Sequence, residues 1–139
     1  MNKKLFKPKN SQIESFEIIT LHTNGMRYSA DVEIVMKSDI AEVSQYQIRY
    51  SYPNNERILE KRVLVSTDAV LALLNECKLL SWDDFHGKHP RGVLDGTMFS
   101  LNAIVNDGKK IRAEGSQNFP KHYRDFTDGI YEMLNGKNN

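Results

Sequence analysis

The sequence predicts an α+β fold. The expected architecture is an antiparallel sheet of about six strands, in the chain order β-β-β-β-α-β-β-α, with both helices on one face. Three observations carry this. Apolar and polar residues alternate with period two over most of the segment from Ile13 to Val65. The period lengthens to that of a helix twice, after Ser66 and after Pro120. Successive strands are joined by short turns, whereas parallel neighbours would need long crossovers.

Each element follows from its residues. Residues 1–10 form a flexible basic tail, residues 11–135 a single α+β domain, and residues 136–139 a polar C-terminal end. Phe16 and Ile18, with Ile13 before them, open a first strand that runs towards Leu21. Asn24-Gly25 then supplies a hairpin turn, because both residues tolerate positive φ. Tyr28, Ala30, Val32, Ile34 and Met36 make the apolar side of a second strand, with Ser29, Asp31 and Glu33 on the polar side. A third strand carries Tyr46, Ile48 and Tyr50, with Gln47 and Arg49 outward, and Tyr28, Tyr46 and Tyr50 are expected on the core side. Pro53-Asn54-Asn55 breaks it, and a fourth runs from about Arg57 to Val65.

Ser66-Thr67-Asp68 is a helix start, with a hydroxyl to cap and a carboxylate in the first turn. Val70, Leu73, Leu74, Cys77 and Leu80 give its buried stripe. Residues 83–96 read as a loop rich in glycine and proline. Phe99, Leu101, Ala103 and Val105 form a fifth strand, Asn106-Asp107-Gly108 turns it, and Lys110 to Ala113 returns as a sixth. Pro120 is expected to open the second helix, where its missing N–H is harmless. Tyr123, Phe126, Ile130 and Leu134 supply that helix's apolar face.

Composition bounds the function. The chain has 139 residues, 27% of them charged, with a formal net charge of +1. That suits one domain and gives no global field towards nucleic acid or acidic lipid. Cys77 is the single cysteine, so no intrachain disulfide forms, and its helical position predicts a buried structural thiol. The basic start lacks the apolar core of a signal peptide. No apolar run reaches the length of a membrane span. A cytoplasmic protein without membrane contact is expected.

Candidate chemistry is sparse. Asp83, His86 and His89, with Asp84 and Asp95 nearby, are the only cluster of metal-ligand types, though H-x-x-H in a loop fixes no geometry and a solvated polar loop is the plainer reading. The chain has no G-x-S-x-G elbow, no phosphate-cradling glycine loop and no basic neighbour for Cys77 in its helix. The segment 109–124 is locally basic. Lys110, Arg112, Lys121, His122 and Arg124 are its candidate anion-binding residues, with Tyr123 or Phe119 as a stacking platform for single-stranded nucleic acid. The competing reading is a solvated strand face with Tyr123 in the core.

The stretch from Trp82 onward resembles a pattern of small bacterial α+β proteins of unknown function. Its marks are Asp95-Gly96-Thr97-Met98-Phe99, then Gly115-Ser116-Gln117-Asn118-Phe119-Pro120, then Tyr123 and Phe126 in the last helix. The resemblance covers under half of the chain, departs at Phe99, where the pattern often has tryptophan, and implies no activity. It implies that Gly115 to Pro120 is a structural corner.

The reading is therefore a non-enzymatic binding or protein-interaction module with no cofactor. The alternative is an anion or nucleic-acid binder built on segment 109–124, although nucleic acid is not the expected partner. A metal-dependent hydrolase ranks third. Val63-Leu64-Val65 is apolar on successive residues, which predicts a strand covered on both sides. A monomer is expected, its long loop capping the sheet through Trp82, Phe85, Val93 and Leu94. A symmetric homodimer is the alternative.

Overall fold

Four strands come first and pair in sequence as antiparallel neighbours. They are β1 (Phe16–Asn24), β2 (Ser29–Lys37), β3 (Ile40–Arg49) and β4 (Glu56–Ser66). The computed structural model describes residues 12–25, 28–50, 53–92 and 96–136. The basic tail, Val93, Leu94, Asp95 and the last three residues lie outside the described residues. After β4 come α1 (Thr67–Glu76), a 3-10 turn at Leu79–Trp82, β5 (Phe85–Gly87), β6 (Met98–Val105), β7 (Lys109–Ser116) and α2 (Tyr123–Leu134).

The strands form one sheet in the order β4-β3-β2-β1-β6-β7-β5. The fold is α+β and mostly antiparallel, with seven strands rather than about six. The extra strand, β5, lies within the segment read as a loop and runs parallel to β7. Two contacts fix it there. The Asp83 carboxylate accepts from the Arg112 backbone N–H at 3.0 Å, and the Asp84 N–H donates to the Arg112 carbonyl at 2.8 Å. The chain is thereby held alongside β7, and three residues pair. A three-residue strand is too short to show a period. The described part of residues 83–96 thus extends the sheet along the β7 edge instead of capping its face.

Alternation builds the core. Ile19 and Leu21 of β1 sit beside Ile34 and Val32 of β2, and then beside Ala103 and Leu101 of β6. The same side carries Ala41 and Val43 of β3, Val63 and Val65 of β4, and Ile111 and Ala113 of β7. Both helices contact β3 and β4, and each other. Their apolar residues Val70, Leu74, Phe126, Ile130 and Met133 join these strand residues in one buried cluster. The Ser66 hydroxyl caps α1 by accepting from the Ala69 N–H at 3.2 Å, as its sequence predicts. Trp82 is 1% exposed, meets Phe126 edge-on at 5.4 Å, and donates its indole N–H to the Lys121 carbonyl.

Several expected placements are corrected. Tyr50 is exposed, and Tyr46 lies on the face away from the helices, with the Arg57 guanidinium 3.9 Å above its ring; Tyr28 is near Tyr123 and Tyr131 on the helix side, as expected, but half-exposed. The core of β3 is Ala41 and Val43, small residues that precede the aromatic run. Gln47 and Arg49 alternate with the tyrosine and fall on the other side, still exposed. Leu64 is 63% exposed, so β4 is covered on the side of Val63 and Val65 alone. Pro120 does not open α2; it is buried in the preceding turn, and its carbonyl accepts from the Tyr123 N–H.

The segment Gly115–Pro120 is a corner. Its chain folds back so closely that a Cβ at Gly115 would collide with the Asn118 carbonyl oxygen. Gln117, at φ 53°, ties the corner to the start of β6: its side chain accepts from the Thr97 N–H and its own N–H donates to the Thr97 carbonyl. Phe119 stacks on Tyr123 at 4.6 Å and packs near Phe99 at 5.5 Å. Gly115→Ala is expected to lower stability by about 1–3 kcal/mol, the usual range for forcing extra volume into a packed site. An unchanged thermal midpoint would show that the corner gives way freely.

Cys77 is buried at the end of α1, where desolvation first, and then Asp125 and Glu76, push its thiol from 9.0 up to about 11. The folded protein holds this proton more tightly than the unfolded chain does, so protonation favours folding. That contribution is complete below about pH 9 and is lost as the pH rises to about 11. Urea midpoints measured across this window should fall less steeply for Cys77→Ala than for the wild type; equal slopes would rule the thiol out.

Candidate binding face

The face of the sheet turned away from the helices is lined by the other alternation set. Strand register assembles it in rows. One row runs Arg62, Ser44, Glu33, Thr20, Asn102, Arg112 from β4 to β7. The next runs Tyr46, Asp31, His22, Ser100, Glu114, His86 from β3 to β5. On the other side of the first row lie Leu64, Glu42, Val35, Ile18, Ile104 and Lys110. Half-buried Val35, Ile18 and Ile104 form an apolar strip within it.

Most charges here are paired within the face. Asp31 accepts from His22 Nδ1 at 2.5 Å and from Arg57 Nε at 3.2 Å. Arg57 also stands 3.7 Å from Glu33. Arg62 donates to the Ser44 and Tyr46 hydroxyls at 2.8 and 3.0 Å and lies 3.7 Å from Glu42. These side chains cover Ser44, which is 2% exposed, and the Tyr50 hydroxyl donates to buried Ser29 at 2.9 Å. Towards the other edge, His86 bridges Glu114 at 3.2 Å and Asp84 at 3.4 Å.

Shallow grooves follow the rows between β1, β6, β7 and β5. One of about 370 Å³ is lined by His22, Met98, Ser100 and Glu114. A second of about 480 Å³ runs over Ser100, Asn102, Arg112 and Glu114 to His86 and Asp84. A third of about 380 Å³ lies over Ile18, Thr20, Asn102, Ile104, Lys110 and Arg112.

The row that joins Asp31, His22 and Ser100 has the residue types of a nucleophilic triad. It is not an assembled one: no hydrogen bond joins the Ser100 hydroxyl to His22 among the described residues. The strand amides around Ser100 are committed to the sheet and offer no oxyanion site.

The sequence-predicted anion set is divided by the fold. Lys110 and Arg112 alternate with buried Ile111 and Ala113, so both project from the open face. Lys121, His122 and Arg124 stand on the helix side, at the start of α2. The Lys121 carbonyl serves Trp82, and His122 Nδ1 lies 3.2 Å from Asp125. The aromatic platform proposed with them is occupied, since Tyr123 and Phe119 stack on each other and burial drives the Tyr123 hydroxyl's pKa upward.

The metal-type residues have other partners. Asp83 holds the Arg112 backbone and lies 3.9 Å from Lys109, His86 lies between Glu114 and Asp84, and His89 Nδ1 meets the Ser116 hydroxyl at 2.8 Å. Asp95 lies outside the described residues. Among the described residues no group of three His, Cys, Asp or Glu side chains is arranged to hold a metal ion. No described helix is long and apolar enough to cross a membrane.

Sequence reasoning missed Thr20, Asn102, His22 and Ser100 as members of this face. Their positions follow from the β1–β6 register, which the residues of either strand alone do not fix. Comparison with protein-family models, curated proteins and solved structures finds no match for this chain.

Proposed function

We propose that the protein is a non-enzymatic binding module that presents the open face of its sheet to a protein partner. The observation that carries this reading is the asymmetry of the sheet. One side is sealed by both helices, while the other offers grooves and an apolar strip among charges that are already paired. Such pairing holds Arg57 and Arg62 in set positions before any partner arrives, which reduces the ordering that association would require. The asymmetry of charge and apolar surface along the face supports recognition in one orientation.

Affinity capture from the native host at physiological salt tests it. The wild-type chain should retain a partner that Thr20→Glu/Asn102→Glu, on the open face, loses at least about tenfold, since buried unpaired carboxylates are strongly unfavourable. Asp128→Lys/Glu132→Lys, on the exposed side of α2, should retain it. Loss through the helix variant with retention by the open-face variant would overturn the reading, as would no captured partner above background.

A further inference from the structure

The charged groups of the open face are not treated alike. Asp31, Glu33, Glu42, Arg57, Arg62, His22, Glu114 and His86 all have partners within the face. Lys110 and Arg112 have none: among the described residues no carboxylate pairs with either side chain. Beside them, in the same groove, the side-chain amide of Asn102 and the Thr20 hydroxyl make no hydrogen bond among the described residues either. Four side chains that can donate therefore converge without an acceptor. Ile18 and Ile104 wall the same groove.

We infer that this end of the face receives an extended segment of a protein partner that carries carboxylates next to apolar side chains. The inference rests on the binding-module reading and names its ligand. A carboxylate matches the guanidinium of Arg112 with two parallel hydrogen bonds and gains the point charge of Lys110. In an extended segment alternate side chains face the same way. An apolar residue followed two positions later by Glu presents both to the groove, the first over Ile18 and Ile104 and the second over Lys110 and Arg112.

A nucleic acid fits less well. A phosphate backbone needs a continuous track of positive charge. Here the groove continues past Arg112 to Glu114 and Asp84, which would repel it. Among the described residues the face also offers no free aromatic ring beside Lys110 and Arg112, because Phe119 and Tyr123 belong to the core side.

The test uses the full chain and the peptide N-acetyl-Leu-Ser-Leu-Ser-Glu-Ser-Glu-amide, with the glutamine version of that peptide, inorganic phosphate and oligothymidylate as comparators. Binding is followed by NMR through the backbone amides of Thr20, Asn102 and Arg112 and the Arg112 Nε–H. The acidic peptide should shift these signals, and Arg112→Gln or Lys110→Gln should each weaken it about tenfold, the loss expected for one charge-assisted contact. The glutamine peptide should bind at least as weakly. Stronger binding of oligothymidylate or phosphate at the same signals would overturn the peptide assignment. No shift with the acidic peptide would overturn it too. The binding-module reading would survive that result if the host partner were still lost by Thr20→Glu/Asn102→Glu and kept by Arg112→Gln.

Discussion

Cover for one face is the constraint on which this structure depends. Seven strands spaced about 4.8 Å apart make a sheet about 29 Å wide. The described residues supply two α-helices to lay on it, of 10 and 12 residues. Both helices contact β3 and β4, so the β7 end needs another filling. The 3-10 turn with Trp82 supplies it, and Phe85, Phe99, Phe119 and Tyr123 pack as a chain of rings next to it. The tight corner at Gly115 follows from this: Phe119 can fold back over Phe99 only if the chain turns sharply at the end of β7. Among the described residues no further layer is left for the second face, and its alternation set is accordingly mostly polar, apart from the strip of Val35, Ile18 and Ile104.

The same shortage governs the edges. An unpaired strand edge is a template for unwanted pairing. β4 is one edge and is 11 residues long, and it carries Glu56, Arg57, Glu60, Lys61 and Arg62 at exposed positions. β5 is the other edge and is only 3 residues long. Charge protects the long edge and brevity the short one. Arg57 and Arg62 do double work here, since the side chains that make β4 a poor template also reach inward to Asp31, Glu33, Glu42 and Ser44. Leu59 and Leu64 are the exceptions, both exposed, with Leu59 opposite Tyr46 and Leu64 at the end of the row that holds Val35, Ile18 and Ile104.

Much of the fold was legible because its signals are local. Phe99, Leu101, Ala103 and Val105 alternate without a break and are all buried. Ser66 caps the helix that its sequence promises. Tyr46 and Tyr50 fall opposite to the expected side because aromatic residues favour strands on either face, and a phenol can lie across a guanidinium as readily as it can enter a core. Val63-Leu64-Val65 predicts cover on both sides because three apolar residues in a row look alike whether or not a second layer exists, and Leu64 lies exposed. For the candidate binding face, the positive charge at Lys110 and Arg112 is legible in the sequence, but its company is not. Lys121 to Arg124 follow closely in sequence and lie on the other side of the sheet. Thr20 and Asn102 are distant in sequence and lie beside Arg112, because register, not proximity along the chain, assembles a sheet face.

That assembly also decides where binding energy can come from. An exposed ion pair contributes little to stability, since water screens it. Once a partner covers it, the pair must remain satisfied or become a liability. The Asp31, Arg57, His22 and Arg62 networks already satisfy one another, so covering them neither demands new partners nor gains much. They set the outline that a wrong partner would violate. Net gain is available where donors stand unanswered, at Lys110, Arg112, Asn102 and Thr20, and where apolar surface is half-exposed, at Ile18, Val35 and Ile104. These two regions adjoin in one groove, so a single extended segment would reach both. On the proposed reading the face would divide its labour, with its paired charges discriminating between partners and its unpaired corner supplying the binding.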